Sequence, residues 1–213
     1  MAAQSLANGA SNSKMSTRER ILLAFLRVAN ERGLEAATTR RIAEAAGVNE
    51  VTLFRHFGDK ATLALAAVRH FSPVERFRAR DPQIDASSPS MAAAGLKACL
   101  RYCSDGISAR PELLEFGVGE ARRMPDVLAE MAAIPRAAME FLDRALTEAS
   151  AVLRPEIDHR ATRLQWLGLL VHSRLLVARG AMAEPSAEEW DQLLAAAVRA
   201  VIDWRGDEND VEP

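Results

Sequence analysis

The chain has 213 residues, 49% of them hydrophobic and 26% charged, a net charge of −2 and two cysteines, Cys99 and Cys103. That length allows a sizeable core without disulfides or a structural metal, and two cysteines make no disulfide framework, which suits a reducing cytoplasm. No run of about 18 or more apolar residues is present, so no membrane-spanning helix is expected.

The small net charge hides an asymmetry. Residues 1–80 carry 13 Lys and Arg against 7 Asp and Glu, a net of +6, and residues 81–213 carry a net of −8. A basic first third joined to an acidic remainder points to a polyanionic partner for the first part alone.

In chain order the pattern is all-α. Residues 1–15 lack an apolar signal core, and their Ala, Ser, Asn and Gly content reads as a disordered tail. A first helix follows, capped at Ser16 or Thr17 with Glu19 in the capping-box position. Its apolar stripe is Ile21, Leu22, Phe25, Val28 and Ala29, and Gly33 stops it. Two short helices are predicted over Thr38–Ala46 and Asn49–Phe57, separated by Gly47, which supplies a positive φ. A longer helix is expected from Asp59 to Arg80, with Leu63, Ala67, His70 and Phe71 on one side and Pro73 kinking or splitting it. The Pro-, Ser- and Asp-rich stretch from Asp81 to Ser90 is the expected domain boundary. Further helices are read over 91–108, 111–123, 125–153, 158–180 and 186–206, with Pro135 bending or breaking the third of these. The acidic end, 207–213, reads as frayed.

The two short helices form a helix-turn-helix. Ile42, Ala46, Val48, Leu53 and Phe57 turn inward to share a core with Phe25 and Leu63, small Ala43 lets the helices cross closely, and Asn49 caps the second. That second helix would enter a DNA major groove with Glu50, Val51, Thr52 and Arg55 toward the bases. Glu accepts from cytosine, Val and Thr methyls touch the thymine methyl, and Arg pairs with guanine. Thr38, Arg40, His56 and Lys60 flank this surface as donors to phosphate oxygens.

The string TTRRIAEAAGVNEVTLFRHFGDKATL closely resembles the DNA-binding motif of the TetR family of bacterial repressors. The match is carried by Thr38, Ile42, Ala43, Ala46, Gly47, Val48, Thr52, Leu53, Phe57, Lys60 and Leu63 and covers roughly residues 16–65. The family usually has tyrosine where this chain has Phe54, so a phosphate contact is lost there and Phe54 is left to pack. Val51 stands where a smaller residue or proline is common. The resemblance implies a helix-turn-helix domain over 16–80 and a helical ligand-binding and dimerisation domain over 81–213. It further implies a repressor released from a palindromic operator on double-stranded DNA when a small-molecule effector shifts the connecting helix.

The remainder is compatible with that expectation. Leu164, Leu167, Val171, Leu175, Leu194, Val198, Val201 and Ile202 make two strongly apolar helices suited to a four-helix homodimer interface or to the monomer's own core. A lone helix-turn-helix reads too few base pairs to be selective, which favours the dimer. Leu100, Cys103, Phe116, Met131, Met139, Leu142, Trp166 and His172 are the candidate lining of an effector cavity, with His172 or Arg174 as polar anchor. Cys99 and Cys103, four apart, read as buried structural cysteines rather than a redox pair. The histidines at 56, 70, 159 and 172 have no metal-ligand spacing. No Gly-rich phosphate loop or nucleophile elbow appears, so neither a cofactor nor an enzymatic role is expected. The alternative is a helical small-molecule-binding or scaffold protein that has lost DNA affinity.

Overall fold

The computed structural model describes residues 15–206; the expected tail over residues 1–15 lies, apart from Met15, outside them, as does the acidic segment 207–213. Every regular element among the described residues is helical, with one isolated antiparallel bridge between Leu153 and Ile202. The helices are α1 (Thr17–Arg32), α2 (Thr39–Ala46), α3 (Glu50–Phe57), α4 (Lys60–Phe71), α5 (Val74–Ala79), α6 (Pro89–Ser108), α7 (Pro111–Gly119), α8 (Pro125–Glu148), α9 (His159–Ala178) and α10 (Ala187–Arg199).

Local chemistry sets the ends. At α1 the Ser16 hydroxyl accepts from the Glu19 N–H at 3.2 Å and the Glu19 carboxylate accepts from the Ser16 N–H at 2.9 Å, a complete capping box. The same device, Ser186 with Glu189, starts α10. Asp59 and Asp158 cap α4 and α9. These side chains satisfy N–H groups that the first helical turn leaves without partners.

The expected long helix is two. α4 ends at Phe71 and α5 begins at Val74. Pro73 donates no hydrogen bond and forces Ser72 into an extended conformation (φ −63°, ψ 131°), so the helix stops rather than kinks. On α4, Leu63 and Ala67 are buried and Phe71 half-buried, but His70 is exposed, 3.3 Å from the Glu19 carboxylate, so it does not share their face. Pro135 behaves in the opposite way to Pro73: α8 runs unbroken from Pro125 to Glu148 through it.

The described residues divide into two compact units, one of residues 15–72 with 112–131, the other of 73–111 with 132–206. The division near residue 72 coincides with the break at Pro73. α5 buries Val74 and Phe77 in the second unit, where Gly106 admits the Phe77 ring; a Cβ on Gly106 would lie 2.8 Å from it.

In the first unit, Ile21, Leu22, Phe25, Ile42, Leu53 and Leu63 are fully buried. The returning segment completes this core. Phe116 meets Phe25 edge-on at 5.4 Å, Arg27 pairs with Glu112 at 3.1 Å, and Glu120 accepts from the Leu34 N–H at 3.0 Å. In the second unit, Leu96, Leu100, Cys103, Phe141, Leu142 and Leu170 form the centre. Lys97 and Arg101 of α6 both pair with Asp191 of α10. Tyr102 lies between the guanidinium groups of Arg76 and Arg80, at 4.3 and 4.4 Å, and donates to the Arg76 carbonyl.

Candidate nucleic-acid interface

The turn between α2 and α3 is built on Gly47. Its φ of 67° is left-handed, and its N–H and that of Val48 return to carbonyls of α2. Asn49 then caps α3, its side-chain oxygen accepting from both the Thr52 N–H and the Thr52 hydroxyl at 2.8 Å. Leu53 and Phe57 anchor the inner face of α3, and the Arg18 guanidinium sits 5.4 Å from the Phe57 ring.

The outer face of α3 is now defined. Val51 is 75% exposed and Phe54 48%, and Arg55 and His56 are exposed. Phe54, a candidate DNA contact by its position in the motif, stands on the solvent face beside Val51. Its place on the helix explains this, because Leu53 and Phe57 already fill the inner face.

Two of the expected base readers have partners of their own. The Thr39 hydroxyl donates to a Glu50 carboxylate oxygen at 2.7 Å, tying α2 to α3, and the Thr52 hydroxyl is given to Asn49. Thr39 was not singled out from the sequence, although it directly follows the cap residue Thr38. Among the expected phosphate donors, Thr38 caps α2 by accepting from the Arg41 N–H at 3.4 Å and Arg40 pairs with Glu44 at 3.0 Å. Lys60 donates to the Leu34 carbonyl at 2.8 Å, bracing the α1–α2 loop. Its ammonium keeps two further N–H donors.

In the second unit the sequence candidates separate. Leu100, Cys103, Leu142 and Trp166 are buried and Met139 half-buried, with Trp166 donating to the Ala197 carbonyl at 3.3 Å. Phe116 and Met131 belong to the first unit instead. His172 is exposed, so it anchors nothing inside. Arg174, two residues on, turns inward. Its guanidinium lies 4.2 Å from the Trp190 ring, donates to the buried Ser104 hydroxyl at 3.1 Å and pairs with Glu184. These residues, with Arg101, Asp105 and Leu194, line a cavity of about 280 Å³. Arg101, Ser104 and Trp190 were not anticipated. Burial pushes the thiol of Cys99 up to about 11 and that of Cys103 up to about 12, which holds both protonated and unreactive.

The expected dimer residues also divide. Leu167, Leu194, Val198, Val201 and Ile202 are buried within their own unit. The last two are sealed by the bridge at Leu153, where the Val201 carbonyl accepts from Arg154 and the Val152 carbonyl from Asp203. Leu164 is 50% exposed, and Val171 and Leu175 on the same helix are half-buried. Leu193, 41% exposed, is the large apolar residue that α10 leaves outside.

Residues 21–67 match the family described as bacterial regulatory proteins, tetR family. Over 55 residues the chain is 44% identical to the HTH-type transcriptional repressor AcnR of Corynebacterium efficiens, a match covering 26% of this chain and 29% of that protein's length. Its fold is similar to that of NalD, the secondary repressor of the MexAB-OprM multidrug efflux pump in Pseudomonas aeruginosa, with a TM-score of 0.68 at 18% identity over 87% of this chain and 97% of that one. It is also similar to the transcriptional regulator FadR from Bacillus subtilis, solved in complex with stearoyl-CoA, with a TM-score of 0.61 at 17% identity over 87% and 97% of the two chains. Residues 21–67 thus carry a helix-turn-helix similar to that of the bacterial regulatory proteins of the tetR family, and the chain spans under a third of the length of the curated relatives it matches.

Proposed function

We propose that the protein is a ligand-responsive transcriptional repressor that binds a palindromic DNA site as a homodimer in the cytoplasm. The observation that carries this reading is the capped helix pair turned at Gly47, which presents Val51, Phe54, Arg55 and His56 to solvent on one short helix. A helix held in this way fits a major groove, and its flanking donors suit phosphates. The relatives called repressors, AcnR and NalD, support the sign of the regulation. The FadR complex supports a small-molecule effector for the second unit, and the cavity beside Arg174 is one place for it. Exposed Leu164 and Leu193 support pairing of α9 and α10 with those of a second copy.

The test is fluorescence anisotropy with duplex DNA from upstream of the protein's own gene, against a duplex of scrambled sequence. Specific binding should exceed scrambled binding by at least about a thousandfold. Log affinity should fall linearly with log salt, with a slope of about −0.9 for each phosphate neutralised. Equal and salt-insensitive binding of the two duplexes would sink the reading.

A further inference from the structure

The outward face of α3 is more apolar than a solvated helix needs. At about 100° per residue, Val51 sits at the centre of the exposed arc, with Phe54 on one side and Arg55 on the other. Val51 is three-quarters and Phe54 about half exposed, and both stabilise the helix poorly, since β-branched and aromatic residues are weaker helix formers than Ala or Glu. The polar neighbours are committed elsewhere: one oxygen of Glu50 to the Thr39 hydroxyl, and the Thr52 hydroxyl proton to Asn49. Those bonds hold α3 against α2 and hold its first turn in shape. The front of the helix is thus a valine, a phenylalanine and an arginine, with one carboxylate oxygen of Glu50 at its margin.

We infer that Val51 and Phe54 read thymine through its C5-methyl group, and that the half-site is specified by thymine methyls rather than by hydrogen bonds accepted by Glu50 or donated by Thr52. This rests on the DNA-binding reading above. The thymine methyl is the apolar feature the four bases offer in the major groove, and apolar side chains recognise it by excluding water between them. Both side chains have few rotatable bonds, so little freedom is lost when they dock. Arg55, at the edge of the patch, supplies guanine recognition beside the thymines.

The experiment removes the methyl from the DNA and leaves the fold of the protein untouched. The full-length protein is used to enrich duplexes from a pool carrying a randomised segment of about two helical turns. The enriched duplex is then made with thymine or with uracil throughout, and the affinity of each is measured. Uracil keeps the pairing and every hydrogen-bonding group of thymine and lacks only the methyl. The expected loss is about fourfold for each methyl contact, the factor equivalent to about 0.8 kcal/mol per buried carbon group, so about fifteenfold for one contact in each of two half-sites. In Val51→Ala and Phe54→Ala, at positions exposed enough to leave the core intact, the thymine-to-uracil ratio should fall toward one, most fully in the double variant. Equal binding of the two duplexes overturns the inference and leaves the DNA-binding reading standing. A ratio that persists in the double variant overturns the assignment to these residues. A pool that yields no enriched sequence overturns the DNA-binding reading itself, and the methyl inference with it.

Discussion

Single residues decide the geometry of the turn, and Gly47 decides most. Its φ of 67° lies where a Cβ is disfavoured by the backbone itself and not by crowding, since the nearest atom a new Cβ would meet is 3.8 Å away, at the end of Arg20. Gly47→Ala should therefore destabilise the first unit by about 1–2 kcal/mol through backbone strain, while Gly47→Asn, which tolerates that conformation better, should lose less. Urea unfolding followed by circular dichroism checks the order; equal losses for both would point to a crowded site instead. At this scale the sequence was readable where a residue acts on its nearest neighbours. Ser16, Gly33, Gly47 and Asn49 all stand where their chemistry placed them. It was unreadable where two similar residues compete for one environment. His172 and Arg174 are two apart on one helix, and only the Trp190 ring and the Ser104 hydroxyl determine that the arginine turns inward.

The helices owe their starts to side chains that titrate. Glu19, Asp59, Asp158 and Glu189 are all held below the ordinary carboxylate range, chiefly by backbone N–H groups that donate to them at the cap. Each depressed value means that the folded state favours the ionised form. That stabilisation is complete above the unfolded values, roughly pH 4, and is lost as pH falls through the lower folded values. The melting temperature should thus decline on acidification below about pH 4.5, and the decline should be shallower in a Glu19→Gln, Glu189→Gln variant, whose amides do not titrate. An unchanged slope would show that other carboxylates govern acid unfolding. Cap positions are local, and so these helix starts were legible in advance. The fate of α8 at Pro135 was not, because a proline within a helical pattern can end the helix or be carried through it, and neighbouring packing decides which.

Across the whole molecule, the equal hydrophobicity of α9 and α10 residues concealed which of them face outward. Leu164 and Leu167 are one turn apart and chemically identical, yet one is half exposed and the other buried. Leu164→Glu and Leu193→Glu should convert a dimer to a monomer with little change in melting temperature. Leu167→Glu and Val198→Glu should instead destabilise the fold by several kcal/mol by burying an unpaired charge. Sedimentation velocity with thermal melts separates the two outcomes, and the reverse pattern would return the interface to the buried set. The participation of residues 112–131 in the first unit was equally hidden. No local pattern announces that Phe116 will meet Phe25, ninety-one positions earlier; long-range packing of this kind is decided by the fold as a whole.

The chain passes between its two units at residues 72–73, 111–112 and 131–132, the first two beside Pro73 and Pro111 and the third three residues before Pro135. A proline nitrogen carries no hydrogen; Pro73 and Pro111 stand at helix starts, where no ladder bond is lost, whereas Pro135 removes a rung from within α8. In α8 the missing rung is the one that would have reached back from residue 135 to the Met131 carbonyl, spanning the passage itself. Helical order spreads by cooperative addition of one bond per residue. Here one bond is missing in α8 where the chain passes from one unit to the other, so helical order spreads less readily through that joint.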